Sequence, residues 1–176
     1  MMISQTEIEE SIIAQWETCK MKLLAQDWCE SVEIVDILWQ MNRLDDKKIA
    51  WRSAYLLDLI HDVNPSIIKP YLKDISSLVI TEKNQSIKRH YLRILSQYDL
   101  SKIADGHLVD VCFKWLAIED TPIAVKAHCM TILYNLCDTY PDLIPELKLA
   151  LEGILPYGSK GEINRAKNIL MKLQKE

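Results

Sequence analysis

Ile87, Ile94, Leu95 and Tyr98 have apolar counterparts at one fixed spacing in both directions along the chain. Stepping back 38 residues gives Ile49, Leu56, Leu57 and Ile60, and stepping forward 38 gives Val125, Ile132, Leu133 and Leu136. One further step reaches Ile163, Leu170 and Met171. Apolar positions that recur every ~20–50 residues mark stacked repeats, in which each unit needs its neighbours to cover its apolar face. A second set follows the same rule. Pro65, Ile68, Tyr71, Ile75, Leu78 and Val79 recur two periods later as Pro141, Ile144, Leu147, Leu151, Ile154 and Leu155.

Inside each segment the apolar residues fall three or four apart, the spacing of one helical face. Ile8, Ile12, Trp16, Cys19 and Leu23 predict a helix over 6–24, and Ile34, Val35, Leu38 and Met41 predict one over 31–43. A helix over 47–61 comes next and ends in HDVNP, where Asn64 is placed to cap a helix over 65–80 and Pro65 suits its first turn. The pattern predicts helix pairs at 6–43, 47–80, 84–118 and 121–155, with a closing helix at 161–175. There Ile163, Ala166, Leu170 and Leu173 form the inner side, while Lys167, Asn168, Lys172 and Lys175 form a polar outer one, as a capping helix requires. The expected architecture is a single all-α domain over 1–176, a right-handed α-α superhelix of about four pairs plus a cap. Only four glycines and six prolines leave little turn material for an all-β chain.

These features resemble the HEAT/armadillo class of helical repeats. The period matches, Pro70 and Pro145 sit early in first helices, and polar turns (Glu82–Asn84, Glu119–Asp120) precede second helices. Those helices open on an aliphatic–basic pair, Ile87–Lys88 and Val125–Lys126, although the equivalents read Ile49–Ala50 and Ile163–Asn164. The resemblance covers about residues 30–175 and implies that the second helices line a concave surface.

Charge is unevenly spread. Residues 1–46 hold ten acids against Lys20, Lys22 and Arg43, a net of −7, which leaves +3 for the remainder of a chain of net −4. A −7 segment beside a +3 body admits self-association. Phosphate contacts from Lys and Arg dominate nucleic-acid affinity, so the overall acidity argues against such a partner. No apolar run approaches the ~18 residues of a membrane span, so no membrane partner is expected. Five cysteines without a CxxC pair, after an opening that lacks a signal-peptide pattern, point to reduced thiols in the cytoplasm.

Chemistry has little to stand on. His61, His90, His107 and His128 lie in no close ligand spacing; His90 and His128 are one period apart and align with Arg52, as interchangeable polar residues between repeats would. His128 and Cys129 point about 100° apart on a helix and so make no dyad. Glycine-rich phosphate loops and nucleophile-elbow motifs are absent. No catalytic residue, metal or cofactor is expected.

A helical rotation of about 100° per residue, with Ile49 and its equivalents inside, turns positions 51, 55 and 58 outward. Trp51, Arg89, Ala127 and Arg165 then form one column, Tyr55, Arg93 and Thr131 the next, and Lys88 and Lys126 flank them. Trp, Tyr and Arg are the residues enriched at interaction hot spots. The expected function is therefore a non-catalytic scaffold whose groove holds an acidic or extended segment of another protein. Trp51, Tyr55, Lys88, Arg89, Arg93, Lys126 and Arg165 are the candidate binding residues. The alternatives are a nucleic-acid-binding protein like the HEAT-like DNA glycosylases, and a lyase, for which no active-site motif is present.

Overall fold

The computed structural model describes residues 3–104 and 106–174. Among them the chain is helical with no strand, running α1 (Gln5–Ala14), α2 (Thr18–Trp28), α3 (Val32–Met41), α4 (Lys47–Val63), α5 (Pro65–Ile68), α6 (Leu72–Thr81), α7 (Gln85–Leu95), α8 (Gly106–Ala117), α9 (Ile123–Cys137), α10 (Ile144–Ile154) and α11 (Lys160–Leu173). The all-α repeat class read from the periodicity is the one observed. Two compact units divide the chain, one ending at Leu72 and the other beginning at Lys73.

Each unit is built around one long helix. In the first, α4 packs against α1, α2, α3 and α5. It is buried almost all round, with Ile49, Ala54, Leu56, Leu57 and Ile60 inside. In the second, α9 plays the same part among α7, α8, α10 and α11, burying Val125, Cys129, Met130, Ile132, Leu133 and Leu136. The starts of these helices, Lys47 and Ile123, are two 38-residue periods apart. The repeat thus survives as two central helices.

Hydrogen bonds of about one period in span tie neighbouring pairs together. Asn64 Nδ2 donates to the Cys29 carbonyl at 2.8 Å, Asn135 Nδ2 to the Ser96 carbonyl at 3.1 Å, and Tyr140 Oη to the Ser101 carbonyl at 3.0 Å. The Tyr71 hydroxyl donates to Asp36. The bonds from Asn64, Asn135 and Tyr140 satisfy backbone carbonyls left over at helix ends and turns, while that from Tyr71 goes to a carboxylate.

Several expectations need correction. The helix expected over 6–24 is two helices, broken at Gln15–Glu17, where the Trp16 ring lodges against α4. The break shifts the register, so Cys19 and Leu23 face solvent while Met21, Leu24, Ala25 and Trp28 are buried. The helix expected over 65–80 is interrupted by a 3-10 turn at Lys69–Tyr71. Pro70 lies in that turn; it has no N–H to donate, and its ring crowds the carbonyl one turn back. Asn64 makes no side-chain capping bond to α5; its Nδ2 donates instead to the Cys29 carbonyl. In α11 the inner stripe is Glu162, Ala166, Ile169 and Leu173, with Ile163 and Leu170 only half-buried; Lys175 lies outside the described residues. Asp46 does cap α4, accepting from Lys48 N and Ile49 N, and Asn84 caps α7 in the same way.

Two glycines near the end of α10 differ in kind. A Cβ on Gly158 would stand 2.8 Å from the Ile154 carbonyl oxygen, so the backbone excludes a side chain there. At Gly153 nothing lies within 4 Å of that position, and the residue has no left-handed φ. Gly153→Ala is therefore expected to stabilise the chain by about 0.5–1 kcal/mol through helix propensity, read from its denaturant midpoint.

Candidate functional site

The helices of the second unit form two layers. α7, α9 and α11 lie side by side, and α8 and α10 form the other layer. The first layer has an unusual charge pattern. α7 and α9 contain no Asp or Glu, and α11 contains only Glu162. Glu162 is turned inward: its Oε1 accepts from Lys126 Nζ at 3.2 Å, and its Oε2 accepts from the Ser159 amide at 2.7 Å as one half of a capping box. Every exposed ionised side chain of the three helices is therefore basic. Arg89, Lys160, Arg165, Lys167 and Lys172 are exposed, and Arg93 is half-buried.

These residues share a polar surface with α9. Arg165 Nη1 donates to Thr131 Oγ1 at 3.2 Å, and the Lys172 ammonium stands 5.2 Å from the centre of the Tyr134 ring. Arg89 donates to His90 Nε2 at 3.1 Å. A shallow concavity of 540 Å³ opens along the outer side of α11, at Asn164, Arg165, Asn168 and Lys172. Carboxylates flank these helices at both ends: Glu82 precedes α7, Glu119 and Asp120 precede α9, and beyond their far ends Asp99 and Asp138 line a polar hollow of 330 Å³ with Gln97, Tyr98, Asn135 and Thr139.

Not every candidate residue reaches this surface. Lys88 is buried, its ammonium lying 4.4 Å above the Trp115 ring; burial lowers its pKa, an effect that Glu82 and Cys129 oppose. Lys126 is buried as well, held by Glu162 and by the Glu119 carbonyl at 3.3 Å. The rotation argument placed both at the rim of an open column. Their long stems instead cross apolar surface to reach inner partners. Asp58, which the same argument turned outward, is buried too.

Trp51 and Tyr55 belong to the first unit and are engaged there. The Trp16 ring meets Trp51 edge-on at 4.8 Å and Tyr55 at 6.0 Å, and the buried Arg52 guanidinium sits 4.1 Å over its face. Both remain half-buried. Sequence spacing did not reveal this cluster, because Trp16 was read as one more residue of an unbroken stripe.

Among the buried thiols, Cys129 has its pKa pushed well up by burial and by its contact with Cys112. That keeps it protonated and chemically quiet. No group of three or more His, Cys, Asp or Glu among the described residues is arranged to hold a metal ion. No described helix is long and apolar enough to cross a membrane.

A family described as the HEAT repeat domain matches residues 8–173 of this chain. The chain belongs to the HEAT repeat family. Among solved structures, the crystal structure of an engineered protein is similar over 96% of this HEAT chain and 97% of its own length, at 15% identity and a TM-score of 0.47. Comparison with curated proteins gave no match. The HEAT match begins at Ile8, so it takes in the atypical first helices that the period alone fitted only loosely.

Proposed function

We propose that this HEAT chain is a non-catalytic interaction scaffold, and that its α7–α9–α11 face holds an acidic, extended segment of a partner protein. One observation carries the reading: the face bears Arg89, Arg93, Arg165 and Lys172, and its single carboxylate is withdrawn into the Lys126 pair. A surface of one sign raises the local concentration of the opposite sign and speeds encounter. Arginine adds forked donors suited to carboxylates. The buried Lys88 and Lys126 take no direct part, and Trp51 and Tyr55 support the fold of the first unit.

Fluorescence anisotropy with a labelled glutamate-rich peptide tests the proposal, set against a neutral peptide and a single-stranded oligonucleotide of equal charge. The acidic peptide should bind best, and Arg89→Glu/Arg93→Glu should weaken it by about tenfold or more. Arg89 is exposed and Arg93 half-buried, so folding stability should change by no more than about 1–2 kcal/mol. Tighter binding of the oligonucleotide would replace the protein partner with a nucleic acid. Binding unaffected by the double substitution would remove this face from the function.

A further inference from the structure

The Trp16 cluster of the first unit holds a charge that the fold leaves unanswered. Arg52 is only 6% exposed, and its guanidinium carbon stands 4.1 Å from the centre of the Trp16 ring. Its Nε is sealed from solvent without a hydrogen bond, and among the described residues the side chain makes no hydrogen bond or ion pair at all. The ring face holds the guanidinium in place but offers no acceptor to its N–H groups. Buried polar groups are as a rule hydrogen-bonded and buried charges paired, so an exception of this kind calls for a function. The positions one and two periods further on carry His90 and His128, and each of these is hydrogen-bonded, to Arg89 and to Ser96. Nearby carboxylates are committed elsewhere. Asp46 opposes the lowering of the Arg52 pKa by burial, but it lies beyond ion-pair distance and caps α4 through Lys48 N and Ile49 N. Glu17, next to Trp16 in the chain, is paired with Lys20 at 3.2 Å.

We propose that Arg52 anchors a ligand site for a carboxylate borne on an apolar body, either a small organic acid or the free end of a peptide. The guanidinium is planar and forked, and two of its N–H groups match the two oxygens of a carboxylate. Its two Nη atoms are not sealed as Nε is, so they are the side that a ligand can reach. Held against Trp16, the group has little freedom left to lose when it engages an anion. The surroundings select the body. Trp16, Trp51 and Tyr55 are each half-buried, so beside the fork they keep part of their ring surface open to cover an aromatic or aliphatic group. Lys48 is exposed one helical turn before Arg52 on the same side of α4, a second positive charge there. All these residues belong to the first unit, so the site is separate from the α7–α9–α11 face.

NMR of the indole N–H groups, on the full chain titrated with 3-phenylpropionate, tests this proposal. The signals of Trp16 and Trp51 should move and saturate at about millimolar acid, the range for a ligand of this size, while that of Trp115 stays in place. The neutral 3-phenylpropionamide should leave all of them unmoved. A short peptide ending in a free phenylalanine carboxylate, set against its C-terminal amide, makes the same comparison for a chain end, and the tighter of the two acids names the source. Arg52→Lys keeps the charge but loses the fork, and should weaken binding about tenfold. Arg52→Met should abolish it. Arg89→Glu/Arg93→Glu, in the second unit, should leave these shifts unchanged whatever it does to acidic peptides. The comparison of acid with amide uses the wild type alone, so it decides the matter even where a variant folds poorly. Amide and acid moving the signals equally, no movement with either acid, or an Arg52→Lys chain that binds as well as the wild type overturns the proposal. Inorganic phosphate that binds more tightly than both acids overturns the carboxylate class.

Discussion

Lys126→Met should cost about 3–5 kcal/mol of folding stability, because removing one partner of a buried ion pair strands the other charge. The Lys126 and Glu162 side chains are only 10% and 7% exposed. With the ammonium gone, the Glu162 carboxylate keeps its Ser159 contacts but loses the Lys126 cation, and the Glu119 carbonyl loses a donor. The loss should vary with pH. Burial alone would raise the Glu162 pKa, but the Ser159 hydroxyl and amide, together with Lys126, outweigh it and hold the carboxyl below its ordinary 4.5. A carboxylate whose pKa is depressed on folding lends its stability above the unfolded pKa and loses it as pH falls through the folded one. The gap between wild type and variant should therefore be full near neutrality and close in acid below about 4.5. Urea melts across that range measure it directly, and a gap that ignored pH would mean that lost packing, and not charge, was responsible.

Leu133→Ala should cost about 2–5 kcal/mol by opening a cavity. Leu133 is fully buried in α9, and four other helices of the second unit pack on that helix. A hole there is walled on every side, so relaxation can recover little of the lost contact. The matching control is Leu149→Ala in α10, where the side chain stands in solvent and truncation removes almost no buried surface. Denaturant midpoints compare the two. Equal values for Leu133→Ala and the wild type would contradict the 38-residue register that places Leu133 in the core.

How far the sequence could be read depended on whether a feature rests on period or on local detail. The helix centres were legible, because Leu57, Leu95 and Leu133 repeat at one spacing and all three are buried. Interruptions were not. The break at Gln15–Glu17 holds neither glycine nor proline, so nothing local announces it, and every residue after it changes face. Side-chain length also defeats a simple helical wheel. Lys88 and Lys126 start near the boundary of the buried face, and their flexible stems carry the charge inward to Trp115 and Glu162. The basic face itself was partly visible, through Arg89, Arg93 and Arg165. Its purity was not, since that rests on Glu162 being internal, and no spacing rule pairs a residue in α9 with one 36 positions later.

The placement of the tryptophans gives the chain a built-in optical asymmetry. Trp16, Trp28, Trp39 and Trp51 all fall in the first unit, and Trp115 alone falls in the second. Near-ultraviolet emission thus reports mainly on the N-terminal half. With Trp115→Phe the signal becomes exclusive to that half, while the circular dichroism of the helices still sums over both. Following the two signals through one denaturation would show whether a chain assembled from repeats melts as a single event or in halves.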